Sequence, residues 1–199
     1  MRPLLVLRPE PGAAATLARA VAAGFDAVAA PLFTVAPIAW APPDPRDFDA
    51  LMLTSAHAVR LAGPALARFH PLPVFAVGEA TALAALSAGF ARVEAGAADA
   101  AALVARMAGE GVAHALHLAG REHRRIDDAP VRLTRVIVYG ADPVPVLPAA
   151  ARAALATAAS AQRHSPRGGA VLADLVARAG IDAGALRVAA ISASAARGW

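Results

Sequence analysis

The chain contains no cysteine, no lysine and no asparagine, and it has a single tyrosine. Without cysteine there is no disulfide, no thiolate nucleophile and no sulfur-ligated metal. Without lysine there is no Schiff-base amine, no P-loop lysine and no receiver-domain lysine. All 19 basic residues are therefore arginines, a composition that reads as the bias of a GC-rich genome. The net charge is only +4, and the one tight basic cluster is Arg121, Arg124 and Arg125. A nucleic-acid face needs clustered charge, so no nucleic-acid partner is expected. A small polyanionic ligand suits the balance better, and so does a plain soluble surface. The longest uncharged run, 27–43, is broken by Pro31, Pro37 and Pro42, which excludes a spanning helix. Met1-Arg2-Pro3 leads straight into a short apolar segment with no secretory character. A cytoplasmic chain with no membrane partner is expected.

A length of 199 residues suits one large domain or two small ones. The stretch from Val74 to Phe90 organises the rest. Val74-Phe75-Ala76-Val77 is apolar enough for a buried strand, and Gly78 breaks it. Ala82, Leu83 and Leu86 then recur at helical spacing, predicting one inward side, before Gly89 stops the helix and Phe90 packs back. Such a strand–glycine–helix unit turns the first helical N–H groups, and here the Thr81 hydroxyl, outward beyond the strand's carboxyl end, where they can hold a carboxylate. The plan is echoed at Arg187-Val188-Ala189-Ala190-Ile191-Ser192-Ala193-Ser194, with Ser192 in the place of Gly78. Thr54-Ser55 precedes the first copy and Ser165-Pro166 the second, and the helix exits Ala23-Gly24-Phe25 and Ala88-Gly89-Phe90 also match. Two similar α/β halves explain these repeats.

Taken in order, 4–7 is a strand, Arg8-Pro9-Glu10-Pro11-Gly12 a loop, and the following segment a helix to Ala23 with Leu17 and Val21 inward. The loop has neither a G-x-G-x-x-G pattern nor the hydroxyl-rich cradle that binds flavin in flavodoxins, which disfavours dinucleotide and flavin sites. Arg8 stands at a strand's carboxyl end, where α/β sheets bind ligands; its alternative is a surface pair with Glu10. Residues 32–38 and 136–145 both pass between β-rich and proline-rich chain. They predict a two-stranded connector, with 38–139 inserted as one lobe and 1–35 plus 143–199 forming the other. Ser55 and Asp99 read as helix N-caps, and Pro166 suits a first helical turn. His114 and His117 fall on opposite faces of a strand, with no third ligand placed beside them, and read as ordinary polar positions. No Ser-His-Asp order and no carboxylate pair emerges.

Val6-Leu7-Arg8-Pro9, Thr54-Ser55, Val77-Gly78-Glu79-Ala80-Thr81-Ala82, Val138-Tyr139, Ser165-Pro166 and Ile191-Ser192 together resemble the uroporphyrinogen-III synthase family, over essentially the whole chain and in the right order. The resemblance implies two flavodoxin-like α/β lobes with parallel sheets, joined by a two-stranded β connector, with the active-site cleft between the lobes. It implies a substrate, hydroxymethylbilane, that is a linear tetrapyrrole with eight carboxylates. The reaction loses the terminal hydroxyl, closes the ring and inverts the last pyrrole, through an azafulvene cation and a spiro intermediate. The family uses no metal and no organic cofactor, and a monomer is expected.

Tyr139 matches the family tyrosine proposed to assist the leaving hydroxyl, as a phenol protonated at neutral pH can. Its alternative is an anchor for the connector strand. Thr54, Ser55, Gly78, Thr81, Gly120, Ser165, Ser192 and Ser194 match ligand-facing loops, with Arg8, Arg121 and Arg167 as added carboxylate partners. Ser55 has a pure capping alternative, and each arginine a pure surface one. Two departures stand out. The family pattern continues past Gly198-Trp199 with a further strand and helix, and the strand before Ser165 carries Gln162 and Arg163. They leave open a second reading: a bilobed polyanion- or tetrapyrrole-binding relative without turnover.

Overall fold

A computed structural model describes residues 3–97, 99–123, 126, 130–157, 159–163, 165–182, 184 and 186–190. Strands and helices run in the order β1 (Leu4–Val6), α1 (Gly12–Ala22), β2 (Ala27–Ala29), β3 (Phe33–Pro37), β4 (Ala50–Leu53), α2 (Ala56–Leu61), β5 (Val74–Val77), α3 (Glu79–Ser87) and β6 (Val93–Ala97). They continue as α4 (Ala100–Gly109), β7 (His114–Gly120), β8 (Arg132–Pro143), α5 (Ala149–Leu155), β9 (Ser160–Arg163), α6 (Pro166–Arg178) and β10 (Arg187–Ala190). Short 3-10 turns cover Pro45–Asp47 and Pro64–Phe69. The chain divides into two compact units, Met1–Val35 with Asp142–Trp199, and Ala36–Ala141.

The first unit holds a four-stranded parallel sheet ordered β10-β9-β1-β2. Its apolar interior is built on Leu5, Leu7, Leu32, Leu155, Leu172 and Leu175. Strand β9 forms in spite of its polar sequence because it lies in the sheet interior, hydrogen-bonded on both sides. The cost is visible in the buried Gln162 Oε1, which has no hydrogen-bond partner among the described residues; such an orphan costs on the order of 1–3 kcal/mol.

The second unit lies on a six-stranded sheet ordered β3-β8-β7-β4-β5-β6, parallel from β8 to β6. Strands buried on both faces must be apolar throughout rather than alternating, as Ala50–Leu53 is. Leu51, Leu53, Leu116 and Leu118 meet α2 and α3 through Ala58, Val59, Ala82 and Ala85. Met52, Phe75 and Ala115 meet α4 through Leu103, Val104 and Met107. Strands β3 and β8 run antiparallel: Val144 N–H donates to Leu32 at 3.0 Å, and Ile38 N–H to Val138 at 2.9 Å.

The structure corrects several helix faces. In α3 the inward residues are Thr81, Ala82 and Ala85, while Leu83 and Leu86 are 54% and 51% exposed. In α1 the inward residues are Ala13, Thr16 and Ala20, while Val21 is 57% exposed. Both helices lie close on their sheets through small side chains, so the larger ones turn outward. Strand β6 was not expected, and β8 begins at Arg132 rather than 136. The repeated helix exits do share a geometry. Gly24 and Gly89 have φ of 82° and 95°, and Phe25 and Phe90 donate back to Ala20 and Ala85 at 3.0 and 3.2 Å.

Candidate functional site

The order β8-β7-β4-β5 brings the expected site residues of the second unit to one sheet edge. Tyr139 pairs with Gly120 at the end of β7, Thr54-Ser55 follow β4, and Gly78 follows β5. Carboxyl ends of parallel strands are where open α/β sheets hold ligands, because the helices that follow turn their free N–H groups there.

Gly120 and Tyr139 are in close approach. A Cβ added at Gly120 would lie 2.6 Å from the Tyr139 Cζ and 2.8 Å from its hydroxyl, so only glycine admits the ring in this place. The Arg121 N–H donates to the Tyr139 carbonyl at 2.9 Å, and the Arg121 guanidinium lies over Gly140. Glu122 accepts from Arg121 Nε at 2.9 Å and from the Ala141 N–H at 3.1 Å, which ties this loop to β8. The His57 ring stands 5.6 Å from the Tyr139 ring, tilted by 45°.

Ser55 Oγ accepts the His57 N–H at 3.2 Å, so its capping role is real in this structure. Gly78 has φ 75° and ψ 152°, a conformation that L side chains rarely adopt, and it opens α3 without a side-chain cap. Thr81 is 5% exposed, whereas its hydroxyl was expected to stand outward. It faces the sheet because it shares the inward stripe of Ala82 and Ala85.

Sequence reasoning missed His117. It is fully buried on β7, with Nε2 3.1 Å from Thr54 Oγ1 and Nδ1 accepting from Arg135 Nε at 3.3 Å. Burial, then the Arg135 charge and His123, push its pKa down to about 3. The available signal was the alternation of β7, which sets position 117 on the same face as the buried Ala115.

In the first unit, Arg8 lies at the carboxyl end of β1. It does not pair with Glu10, whose carboxylate instead accepts the Ala14 N–H at 3.0 Å. Arg8 Nη1 and Arg19 Nη2 both donate to the buried Thr16 hydroxyl, at 3.4 and 3.2 Å. The Arg8 guanidinium rests against Gly12, where a Cβ would lie 2.5 Å from Nε. Burial and the neighbouring Arg19 lower the Arg8 pKa. Thr16 and Arg19 were not anticipated, though with Gly12 they share one face of α1. Ser165 Oγ caps α6 through the Gly168 N–H at 3.1 Å, and the Arg167 guanidinium lies 4.7 Å from the centre of the Phe33 ring. Ser192 and Ser194 lie outside the described residues.

A separate cleft, lined by Asp49, Phe75, Arg92, Glu94 and Glu110, opens at the amino ends of β4, β5 and β6, away from this edge. Among the described residues no group of three His, Asp or Glu side chains could hold a metal ion, and no helix is long and apolar enough to cross a membrane.

Fold and edge together define a parallel α/β protein of two units, whose strand-end hydroxyls, glycine N–H groups and arginines suit a small anionic molecule. The family model described as HEM4, Uroporphyrinogen-III synthase HemD, matches residues 14–198. The chain belongs to the uroporphyrinogen-III synthase family, and its function lies in tetrapyrrole biosynthesis. It is similar in fold to a mutant uroporphyrinogen III synthase from Thermus thermophilus, with 18% identity, a TM-score of 0.50, and coverage of 96% of this chain and 84% of that one. A wild-type structure of the Thermus thermophilus enzyme shares 17% identity over 98% of this chain and 86% of that one, at a TM-score of 0.41. Of these two likenesses, the first supports the fold. A search of the curated proteins found no match.

Proposed function

We propose that this chain closes hydroxymethylbilane to uroporphyrinogen III, inverting the last pyrrole ring, and that the sheet edge from Tyr139 to Gly78 is where its second unit meets the substrate. The observation that carries this reading is the alignment of Tyr139 on β8, Gly120 at the end of β7, Thr54 just after β4 and Gly78 just after β5, four neighbouring strands in a chain that the synthase family covers from residue 14 to 198. The two compact units correspond on this reading to the two lobes of the family, with 32–38 and 136–145 as the connector strands.

The chemistry asks mainly for positioning. Loss of the terminal hydroxyl as water leaves an azafulvene cation. The substituted carbon of the last ring attacks it, giving a spiro intermediate, which fragments and recloses with that ring inverted. Loss of a proton from the final carbon restores the pyrrole. Tyr139 Oη supplies the proton that makes water of the leaving hydroxyl, and the phenolate takes one back at the end. Water is then the only by-product and the enzyme returns unchanged. Holding the chain folded for closure is worth up to about 7–11 kcal/mol in well-oriented intramolecular reactions. Proton donation adds about 10²–10⁴-fold. Thr54, Gly78, Gly120 and Arg121 hold carboxylates at the sheet edge of the second unit, and Arg8, Ser165 and Arg167 offer contacts of the same kind within the first unit. Ser55 and Thr81 support them through the cap of α2 and the seat of α3.

The test is Tyr139→Phe, supplied with fresh hydroxymethylbilane and scored by chromatography of the oxidised isomers. The rate of type III formation is expected to fall by about 10²-fold with KM little changed. An unchanged rate would remove Tyr139 from the chemistry and leave it as an anchor of β8.

A further inference from the structure

A histidine buried in the middle of a parallel sheet must have both ring nitrogens satisfied, and the partners of His117 determine how. Arginine has five donors and no acceptor, so the contact of 3.3 Å from Arg135 Nε makes His117 Nδ1 an acceptor. In a neutral imidazole the proton then sits on Nε2, and Nε2–H must donate across 3.1 Å to Thr54 Oγ1. The Thr54 oxygen is thereby used as an acceptor. Its own O–H has no acceptor among the described residues, and Thr54 is half-buried at the carboxyl end of β4. The register supports the chain of contacts, since β7 lies between β4 and β8, with His117 opposite both Met52 and Arg135. Arg135 is itself half-buried and has no carboxylate partner among the described residues.

We infer that Arg135, His117 and Thr54 form a relay that fixes the tautomer of His117 and holds the Thr54 hydroxyl as a hydrogen-bond donor toward a carboxylate of the tetrapyrrole. Arg135 and His117 are positioning residues; Thr54 is the group that touches the ligand. The carboxylate partner rests on the synthase reading, whereas the tautomer does not. The relay differs from an ordinary threonine contact in one respect. A free threonine hydroxyl rotates and can accept as readily as it donates, whereas here the oxygen is engaged from behind and the proton points outward. The ring keeps this arrangement at any working pH, since burial, Arg135 and His123 all oppose a second proton on it.

Nitrogen NMR of the chain labelled at histidine tests the first half, with His117→Gln used to assign the resonances. The expected spectrum has His117 bare at Nδ1 and protonated at Nε2, unchanged over roughly pH 5 to 8, and Thr54→Val shifts the Nε2 signal. A proton on Nδ1, or titration in that range, overturns the relay. Binding of uroporphyrin III, a stable octacarboxylate, tests the second half without turnover. Thr54→Val and His117→Leu should each weaken it by about tenfold, one charge-assisted hydrogen bond, and the double variant by no more than either alone. His117→Gln, whose amide N–H can still reach Thr54, should bind within about threefold of the unsubstituted chain and retain its fold. Additive losses, or His117→Gln as weak as His117→Leu, overturn the coupling. If the unsubstituted chain does not bind the porphyrin, the carboxylate partner falls with the synthase reading, while the spectra still decide the tautomer.

Discussion

Gly120 and His117 are the two residues whose environments constrain the site most narrowly. A methyl at Gly120 has no room beside the Tyr139 ring. Gly120→Ala is therefore expected to cost about 1–3 kcal/mol of stability by overpacking and to lower type III formation by displacing the ring. Combined with Tyr139→Phe it should slow turnover no further than Tyr139→Phe alone, because both changes act on one phenol. A stability melt and the isomer assay on the two single variants and the double variant check this. At His117 the sign of the pH effect is set by a folded-state pKa of about 3, below the ordinary value near 6.5. Above 6.5 the ring is neutral in both states and contributes nothing to pH dependence. As pH falls from 6.5 toward 3 the unfolded chain takes up a proton that the folded chain refuses, so stability is lost. Between about pH 7 and pH 5 the loss from this side chain is about 2 kcal/mol. Urea unfolding at the two pH values measures it, and His117→Gln should remove that part of the difference.

At the scale of elements, the turn from β5 into α3 carries the clearest expectation. A Cβ added at Gly78 would meet nothing within 4 Å, so Gly78→Ala causes no clash and suffers only its φ of 75°. The expected cost is roughly 1–3 kcal/mol, read from a shift in the urea midpoint; no shift would mean that the turn relaxes freely. This strand–glycine–helix unit was legible in the sequence because an apolar run, a glycine and a second glycine before Phe90 each mark a boundary. The helix faces were not. In a helix as rich in alanine as α3, close approach to the sheet selects the small residues, and Leu83 and Leu86 are left outside. Strand β6 was hidden because Glu94 and Gly96 interrupt its apolar character, and β9 was readable only as a weak strand for a similar reason. The strand ends at Thr54, Gly78 and Gly120, and the Tyr139 position on β8, were legible from their motifs. His117 was not, because a buried polar group is defined by its partners, here Thr54 just after β4 and Arg135 on β8, which are not its neighbours in sequence.

At the scale of the molecule, the parallel α/β class and the synthase family were both readable, the first from repeated strand–turn–helix units and the second from the order of weak motifs along the chain. The polyanionic substrate proposed for this chain would give a role to Arg8 and Arg19, two guanidinium groups that share the Thr16 hydroxyl and have no carboxylate partner among the described residues. Their attraction for a carboxylate is screened by salt. KM for hydroxymethylbilane is therefore expected to rise with ionic strength, and Arg8→Ala should raise it at low salt and flatten the dependence. An unaltered salt profile in Arg8→Ala would place the carboxylates elsewhere. The central claim is that this chain directs ring closure to the inverted isomer. It is tested most directly by giving the unsubstituted protein freshly generated hydroxymethylbilane and separating the oxidised porphyrins by chromatography. Type III is expected in large excess over the spontaneous type I. Type I alone, formed at the rate seen without protein, would contradict the account.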